Sequence, residues 1–153
     1  GDGGYIKDGE LFLTDRIKDL YKTSNGKYIA PQQIEAKLVV DKYIDQVVII
    51  ADRYKYVSAL IVPCYEMLRQ YAKLHNLKAA TNAELCADRT IVGMIADRID
   101  TLQQGLAKYE QVKRFTLLPQ PFSMERGEMT NTLKVKRRVV FDHYSDEIEK
   151  MYE

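Results

Sequence analysis

Two apolar runs, Gln46-Val47-Val48-Ile49-Ile50-Ala51 and Ser58-Ala59-Leu60-Ile61-Val62-Pro63, decide the fold of this chain. Both are short and rich in β-branched residues, which is typical of strands that are buried on both faces. Lys113–Leu118 predicts a third short strand, which prolines end. Because segments with helical periodicity lie around these runs, we predict an α+β fold: a small sheet of about three strands, with hairpins, packed with helices.

Two segments with helical periodicity flank the two apolar runs. Pro31 suits the first position of a helix, and Ile34 and Leu38 recur on its apolar side. Tyr65–His75 shows a second apolar face at the same spacing. We therefore expect one helix before the apolar strands and another directly after them.

Later in the chain, Thr81 is followed three residues on by Glu84, which is the pattern of a capping box. This pattern predicts the start of one long helix. Its apolar face comprises Leu85, Val92, Ile95, Ile99, Leu102 and Leu106. A last helical face, beyond Val135, comprises Val140, Tyr144, Ile148 and Met151.

Two turn dipeptides predict hairpins near the beginning of the chain. Asp8-Gly9, the favoured type I′ pair, lies within a hairpin over Tyr5–Leu13. Asn25-Gly26 predicts a tight turn between the segments Thr14–Lys22 and Lys27–Ala30. An isolated hairpin is marginal in water, so the Tyr5–Leu13 hairpin is expected either to pack on the rest of this chain or to have a partner upstream of it.

Composition narrows the class of protein. The 153 residues correspond to one domain, and 46% hydrophobic with 29% charged residues argues against disorder and low complexity. The 23 basic and 22 acidic residues leave a net charge of +1, which gives no global attraction for nucleic acid or anionic lipid. Cys64 and Cys86 are expected to be buried, reduced thiols. We expect a soluble, intracellular, single globular unit.

The residues alone indicate no self-contained active site. His75 and His143 are isolated, and no Cys/His spacing fits zinc, so no metal site is predicted. The most notable segment is the basic stretch Thr130–Arg138. It can be interpreted as a solvated helix start, as a patch for nucleic acid or a protein partner, or as a loop that presents a catalytic lysine to a phosphate.

Three segments carry a resemblance to a known family. Asp15-Arg16-Ile17-Lys18-Asp19, followed by Gly26 and Pro31-Gln32-Gln33-Ile34-Glu35, resembles the hinge motif of adenylate-forming enzymes. Thr130-Asn131-Thr132-Leu133-Lys134, followed by Arg137-Arg138, is similar to their C-terminal lysine motif. Gly1-Asp2 matches the end of their Thr-Gly-Asp motif. The motifs occur in the family's order and span nearly the whole chain.

Details of these motifs resemble the long-chain fatty acyl-CoA synthetases. They are Leu133 before the lysine, the Asn25–Pro31 stretch, and the helical insertion Thr81–Val112. The resemblance implies the mobile C-terminal domain of a long-chain fatty acid–CoA ligase, which forms acyl-AMP from a fatty acid and ATP and then a thioester with CoA. Residues 1–15 would end the N-terminal domain as a lead-in hairpin, and residues 16–153 would form the mobile domain.

The resemblance also implies the role of individual residues. Lys134 would be the catalytic lysine of adenylation, and Lys22 would assist in the thioester-forming state. The remaining roles are the hinge at Lys18, nucleotide binding by Asp2 and Arg16, and a CoA-side loop at Asn25 and Gly26.

The same resemblance implies cofactors and partners. The full-length enzyme would use ATP, Mg²⁺ and CoA, none of them held by this chain alone. Its partners would be the fatty acid and its own N-terminal domain, and nucleic acid would not be among them. The enzyme would be cytoplasmic, and any peripheral membrane contact would be made through the N-terminal domain. The alternative function is a stand-alone binding module that uses the basic segment 134–138 for nucleic acid or a protein partner.

Overall fold

The computed structural model describes residues 20–132 and 134–152. The predicted Tyr5–Leu13 hairpin and the predicted site residues Asp2, Arg16 and Lys18 lie outside the described residues. The strands are β1 (Tyr21–Lys22), β2 (Tyr28–Ile29), β3 (Ile44–Ile50), β4 (Val57–Pro63) and β5 (Val112–Leu117). The helices are α1 (Pro31–Leu38), α2 (Tyr65–Leu74), α3 (Asn82–Ala87), α4 (Arg89–Leu102), α5 (Arg137–His143) and α6 (Ser145–Met151), with a 3₁₀ turn at Lys108–Glu110.

The main sheet has the strand order β3-β4-β5, so β4 is central. It runs antiparallel to β3, with Val47 opposite Ile61, and parallel to β5, with Ala59 opposite Phe115. Every residue of β4 is buried, since strands flank it on both sides and helices cover both faces. The predicted α+β fold with a three-stranded sheet is confirmed.

Two hydrophobic cores lie on opposite faces of this sheet, because successive strand residues point to opposite sides. Ile49, Ala59 and Ile61 pack with apolar residues of α1, α2, α3 and α4. Val48 and Leu60 pack instead with the C-terminal helices. The residues of those helices in this second core are Val140, Tyr144, Ile148 and Met151, as predicted.

The prediction of one long helix after Thr81 is wrong. The capping box forms, with Glu84 N donating to Thr81 Oγ1 at 3.1 Å, but α3 ends after six residues. Asp88 then adopts an extended conformation, and its carboxylate accepts hydrogen bonds from Thr90 N and Ile91 N, which caps a new helix. This restart changes the helical phase, so that Ile91, and not the predicted Val92, is fully buried.

The end of the chain is locked to the sheet by Tyr152. Its phenol oxygen accepts a 2.8 Å hydrogen bond from Ser58 Oγ and lies 2.7 Å from the carbonyl oxygen of Tyr56. Its ring stacks on Tyr54 with 4.0 Å between the centroids. These contacts hold α6 against the central strand β4.

The structure also gives the state of the two cysteines and the apolar character of the helices. Cys64 and Cys86 are free thiols, as predicted, but each is only partly buried. Burial raises the pKa of Cys86 to about 11. Among residues 20–132 and 134–152, no helix has the length and apolar character to cross a bilayer.

Candidate active-site loop

Lys134 lies on a short hairpin that we call the lysine hairpin (residues 128–132 and 134–136). Main-chain contacts pair its two sides, residue by residue, and the side chain of Lys134 is exposed. Lys134 N also donates a 3.1 Å hydrogen bond to Thr130 Oγ1. The rungs are a 2.7 Å hydrogen bond from Lys136 N to Glu128 O, the Met129–Val135 bridge, and a 2.8 Å hydrogen bond from Thr130 N to Lys134 O.

The lysine hairpin packs beside α1 and the edge strand β3. Lys134 lines an open groove of about 420 Å³ together with Gln32, Glu35 and Val47. No described residue forms an ion pair with the ammonium of Lys134. The main chain of this lysine is therefore held by hydrogen bonds, and its exposed side chain has no ion-pair partner in residues 20–132 and 134–152.

Arg137, at the start of α5, joins the lysine hairpin to the rest of the domain. Its guanidinium makes a bidentate ion pair with Glu35 of α1, with 2.6 Å between Nη2 and Oε1. Glu35 Oε2 also accepts a 2.9 Å hydrogen bond from Ile49 N of β3. The ring centroid of Tyr21 in β1 lies 5.9 Å from the guanidinium carbon. Arg137 thus connects α5 with α1 and β1 directly, and with β3 through Glu35.

The sequence did not predict this ion pair, since Glu35 and Arg137 were noted only as members of the two family motifs. The side chains of Arg137 and Glu35 are 26% and 17% exposed, so the pair is partly shielded from water. Arg137 is consequently not free to bind nucleic acid. The pattern gave no indication that residues 102 positions apart would meet.

We expect the Arg137–Glu35 pair to be coupled in folding. Glu35→Gln and Arg137→Met should each lower the free energy of unfolding by about 1.5–3 kcal/mol, since each leaves a charged partner unpaired. The double variant should lose less than the sum. Urea unfolding of the four proteins measures the coupling, with the exposed neighbour Arg138→Met as control. Additive losses would show that the pair contributes no coupling energy.

A buried carboxylate, that of Glu128, lies at the base of the lysine hairpin. Glu128 is only 1% exposed. Its Oε1 accepts hydrogen bonds from Ser123 N at 3.1 Å and from Arg126 Nη2 at 2.9 Å. Its Oε2 lies 2.8 Å from His143 Nδ1 at the end of α5. Both carboxylate oxygens are therefore satisfied, and His143, which the sequence analysis treated as isolated, has a buried partner.

These contacts alter the ionisation of Glu128. Burial alone would raise the pKa of its carboxyl group, but the hydrogen bonds from His143, Arg126 and Ser123 outweigh burial and hold the pKa below its usual range. The fold thus favours the carboxylate form.

We expect Glu128 to make the domain acid-sensitive. A lowered pKa means that its contribution is complete above the ordinary pKa of glutamate and is lost as pH falls through the lowered pKa. Urea midpoints measured from about pH 6 to about pH 3 should therefore fall less steeply for Glu128→Gln than for the parent. The exposed Glu125→Gln, in the same loop, is the matched control. Identical slopes for Glu128→Gln and the parent would contradict this assignment.

The other described site residues lie on the β1–β2 hairpin. Gly26 has φ +83°, the left-handed conformation that glycine adopts without strain. The hairpin docks on the β3–β4 turn: Asn25 Nδ2 donates to Lys55 O at 3.3 Å, and Arg53 N donates to Lys22 O at 2.8 Å. The ammonium of Lys22 lies 5.7 Å from the ring centroid of Tyr28.

The structure therefore places the predicted site residues in two groups. Lys134 lies beside α1 and β3, whereas Lys22, Asn25 and Gly26 lie at the turn that joins β3 to β4. Among residues 20–132 and 134–152, no hydrogen bond, ion pair or ring contact joins Lys134 to Lys22, Asn25 or Gly26. In that same part, no three His, Cys, Asp or Glu side chains converge as metal ligands.

Solved structures define the class of this fold. The chain superposes on the adenylation domain of a carboxylate reductase from Mycobacterium chelonae with a TM-score of 0.74 at 24% identity, covering 90% of this chain and 20% of that one. The A-PCP didomain of a carboxylic acid reductase from Segniliparus rugosus gives 0.71 at 22% identity, over 88% and 17%. The fold is that of part of an adenylation domain.

Sequence comparison then gives the family. Residues 18–153 match the family model of the AMP-binding enzyme C-terminal domain, and the chain belongs to this family. Relatives include the long-chain-fatty-acid–CoA ligase FadD15 of Mycobacterium tuberculosis, 30% identical over 99% of this chain and 26% of its own length. The long-chain-fatty-acid–CoA ligase 5 of Rattus norvegicus is 31% identical over 99% and 22%.

The chain thus spans about a quarter of the length of the curated relatives it matches. The resemblance to adenylate-forming enzymes, inferred from three motifs, is confirmed by the family match. The alternative of a stand-alone binding module is not supported, since the family match covers the basic segment 134–138 and Arg137 of that segment pairs with Glu35.

Proposed function

We propose that this chain acts as the mobile C-terminal domain of an AMP-forming long-chain fatty acid–CoA ligase, together with a larger N-terminal domain. The single observation that carries the proposal is Lys134, exposed and unpaired among the described residues, on a hairpin with a fixed backbone. This residue occupies the lysine position of the family's C-terminal motif. The similarity to long-chain-fatty-acid–CoA ligases indicates the substrate class.

In the first half-reaction, a fatty acid carboxylate attacks the α-phosphate of ATP, an acyl–phosphate bond forms, and pyrophosphate leaves. Nucleophile and phosphate are both anionic, so their repulsion must be neutralised. A lysine ammonium is a compact, strongly hydrated charge that can contact carboxylate and phosphate oxygens together. The proposed role of Lys134 is to bridge these oxygens when the domain closes.

In the second half-reaction, the CoA thiol attacks the acyl carbon and AMP leaves. Lys134 must then move out of the way of the pantetheine arm. We propose that the domain rotates about Lys18 and brings the Asn25-Gly26 turn to the site. The small Gly26 allows a close approach of backbone to ligand, and Lys22 assists in this state. Arg16 and Asp2 are proposed nucleotide contacts.

ATP and CoA are substrates in this scheme, and Mg²⁺ would accompany ATP. Of these ligands, the described residues fit ATP, because the exposed ammonium of Lys134 can contact a phosphate oxygen. The proposed N-terminal domain supplies the other wall of the site and the fatty-acid tunnel. Membrane contact, where it occurs, would be made through that domain.

The isolated chain should fold but form no acyl-AMP. Its two cores, on either face of the sheet, support cooperative unfolding, whereas it has only one wall of the active site. Thermal unfolding by circular dichroism checks the first expectation, and incubation with ATP, Mg²⁺ and palmitate checks the second. The full-length protein, assayed in parallel, should release pyrophosphate and make palmitoyl-CoA. Turnover by the isolated chain would contradict the division of the active site, and an inactive full-length protein would contradict the proposed function.

A further inference from the structure

We infer that Glu128 is a positioning residue for Lys134, and that it acts through the lysine hairpin and through His143. The inference rests on the proposed function of Lys134 in adenylation. Glu128 does not belong to the groove that Lys134 lines, and its carboxylate contacts neither that lysine nor the groove. Any influence of Glu128 on acyl-AMP formation would therefore act through the conformation of the lysine hairpin.

The burial of Glu128 is the first observation. An ionised carboxylate that is 1% exposed loses most of its hydration, which is costly unless hydrogen bonds replace the water. Ser123 N, Arg126 and His143 provide that replacement. Removing one partner from such a group is strongly unfavourable, so these hydrogen bonds favour this position of the carboxylate. Glu128 thus anchors the base of the lysine hairpin.

The second observation is the connection from this anchor to Lys134. The carbonyl oxygen of Glu128 accepts the 2.7 Å hydrogen bond from Lys136 N, which is the first rung of the lysine hairpin. The next two main-chain contacts connect this position to Lys134. They are the Met129–Val135 bridge and the hydrogen bond from Thr130 N to the carbonyl oxygen of Lys134. A shift of Glu128 would therefore move the backbone of Lys134.

The third observation is that His143 attaches the anchor to α5. This helix begins at Arg137, which is fixed by Glu35, and ends at His143, which contacts Glu128. The lysine hairpin is therefore held at its base by one end of α5 and continues directly into the other end. Hairpin and helix form one body, so that a rotation of the domain would carry Lys134 to the site in a defined position.

Positioning of this kind matters because the lysine must meet two oxygens at once. A displacement of about 1 Å in a reacting group can cost up to about 100-fold in rate. Loss of the carboxylate at position 128 should loosen the hairpin without removing Lys134. We therefore expect a loss of adenylation that is smaller than the loss caused by removing the lysine itself.

The test compares both half-reactions in the full-length protein. Glu128→Gln should lower the rate of acyl-AMP formation about 10-fold, an intermediate fraction of the positioning effect. Thioester formation from supplied acyl-AMP should stay within about twofold of the parent, because Lys134 is rotated away in that state. Glu128→Asp, which keeps the charge, should recover part of the loss. Glu125→Gln, an exposed residue of the same loop, should leave both rates unchanged.

Amide hydrogen exchange provides the structural measurement. In Glu128→Gln, peptides that cover residues 128–136 should exchange faster, while peptides of the central strand β4 should keep their protection. If Glu128→Gln does not fold, His143→Leu removes only the link to α5. This variant should change both measurements in the same direction by a smaller amount.

The outcomes separate this inference from the proposed function. Unchanged acyl-AMP formation in Glu128→Gln, with a strong loss in Lys134→Ala, would overturn the positioning role and leave the proposed function standing. Equal losses in both half-reactions, with faster exchange in β4, would show that Glu128 only stabilises the fold. No loss in Lys134→Ala would overturn the proposed function and, with it, the positioning role.

Discussion

Lys134→Ala in the full-length protein should lower the rate of acyl-AMP formation by about 10²–10³, equivalent to roughly 3–4 kcal/mol of transition-state stabilisation. The reason is electrostatic. In the proposed site the ammonium contacts oxygens that gain charge as the carboxylate attacks the phosphate. Removal of one preorganised donor from such a site typically costs this much. Fatty-acid-dependent pyrophosphate release measures the effect.

Thioester formation from supplied acyl-AMP should stay near the parent rate in Lys134→Ala, since the proposed rotation carries the lysine out of the site in that state. Lys136→Ala is the matched control. Lys136 is two residues away and also exposed, and its contact with Glu128 uses only the main chain, which alanine retains. Equal damage to both half-reactions would mean that Lys134 is structural. A comparable loss in Lys136→Ala would mean that the wrong lysine has been chosen.

Lys18→Pro in the full-length protein should separate the two half-reactions even more strongly. The proposed rotation requires one residue to absorb a large change in φ and ψ. Proline fixes φ near −65° and disfavours helical angles in the residue before it, so it should trap one domain orientation. If the adenylating orientation is trapped, acyl-AMP formation survives, thioester formation collapses, and acyl-AMP accumulates on the enzyme in a burst.

Pyrophosphate release and acyl-CoA formation, measured in parallel on the variant and the parent, test the hinge. Parent rates for both reactions would show that Lys18 is not the pivot. A loss confined to pyrophosphate release would show that it pivots, but that proline traps the thioester-forming orientation. Lys18 lies outside the described residues, so its role stays a prediction from the hinge motif.

Local features of the fold could be predicted from the sequence because the interactions that form them lie close together in the chain. The strands Ile44–Ile50 and Val57–Pro63 follow from short apolar runs that are rich in β-branched residues. The helix start at Pro31 and the capping box at Thr81 involve partners within four residues. The Asn25-Gly26 turn follows in the same way from the freedom of Gly26 to adopt positive φ.

The break at Asp88 shows where local patterns became ambiguous. Aspartate is a poor helix-interior residue but a strong N-cap, and periodicity alone did not choose between these roles. In the structure its carboxylate bonds the amides of Thr90 and Ile91, and Ile91 takes the buried position. Packing against the sheet thus decided between two acceptable local structures.

The sequence by itself determined the three-stranded sheet, the helices that begin at Pro31 and Tyr65, and the family motif that contains Lys134. Those properties depend on the order of residues over short distances and on their similarity to a family. Only the tertiary structure decided what holds Lys134 in place. Glu35 pairs with Arg137, which lies 102 residues further along the chain, and Glu128 in a loop pairs with His143 at the end of a helix. Such partners are chosen by three-dimensional proximity and by the need to satisfy a buried charge, neither of which has a fixed spacing in the chain.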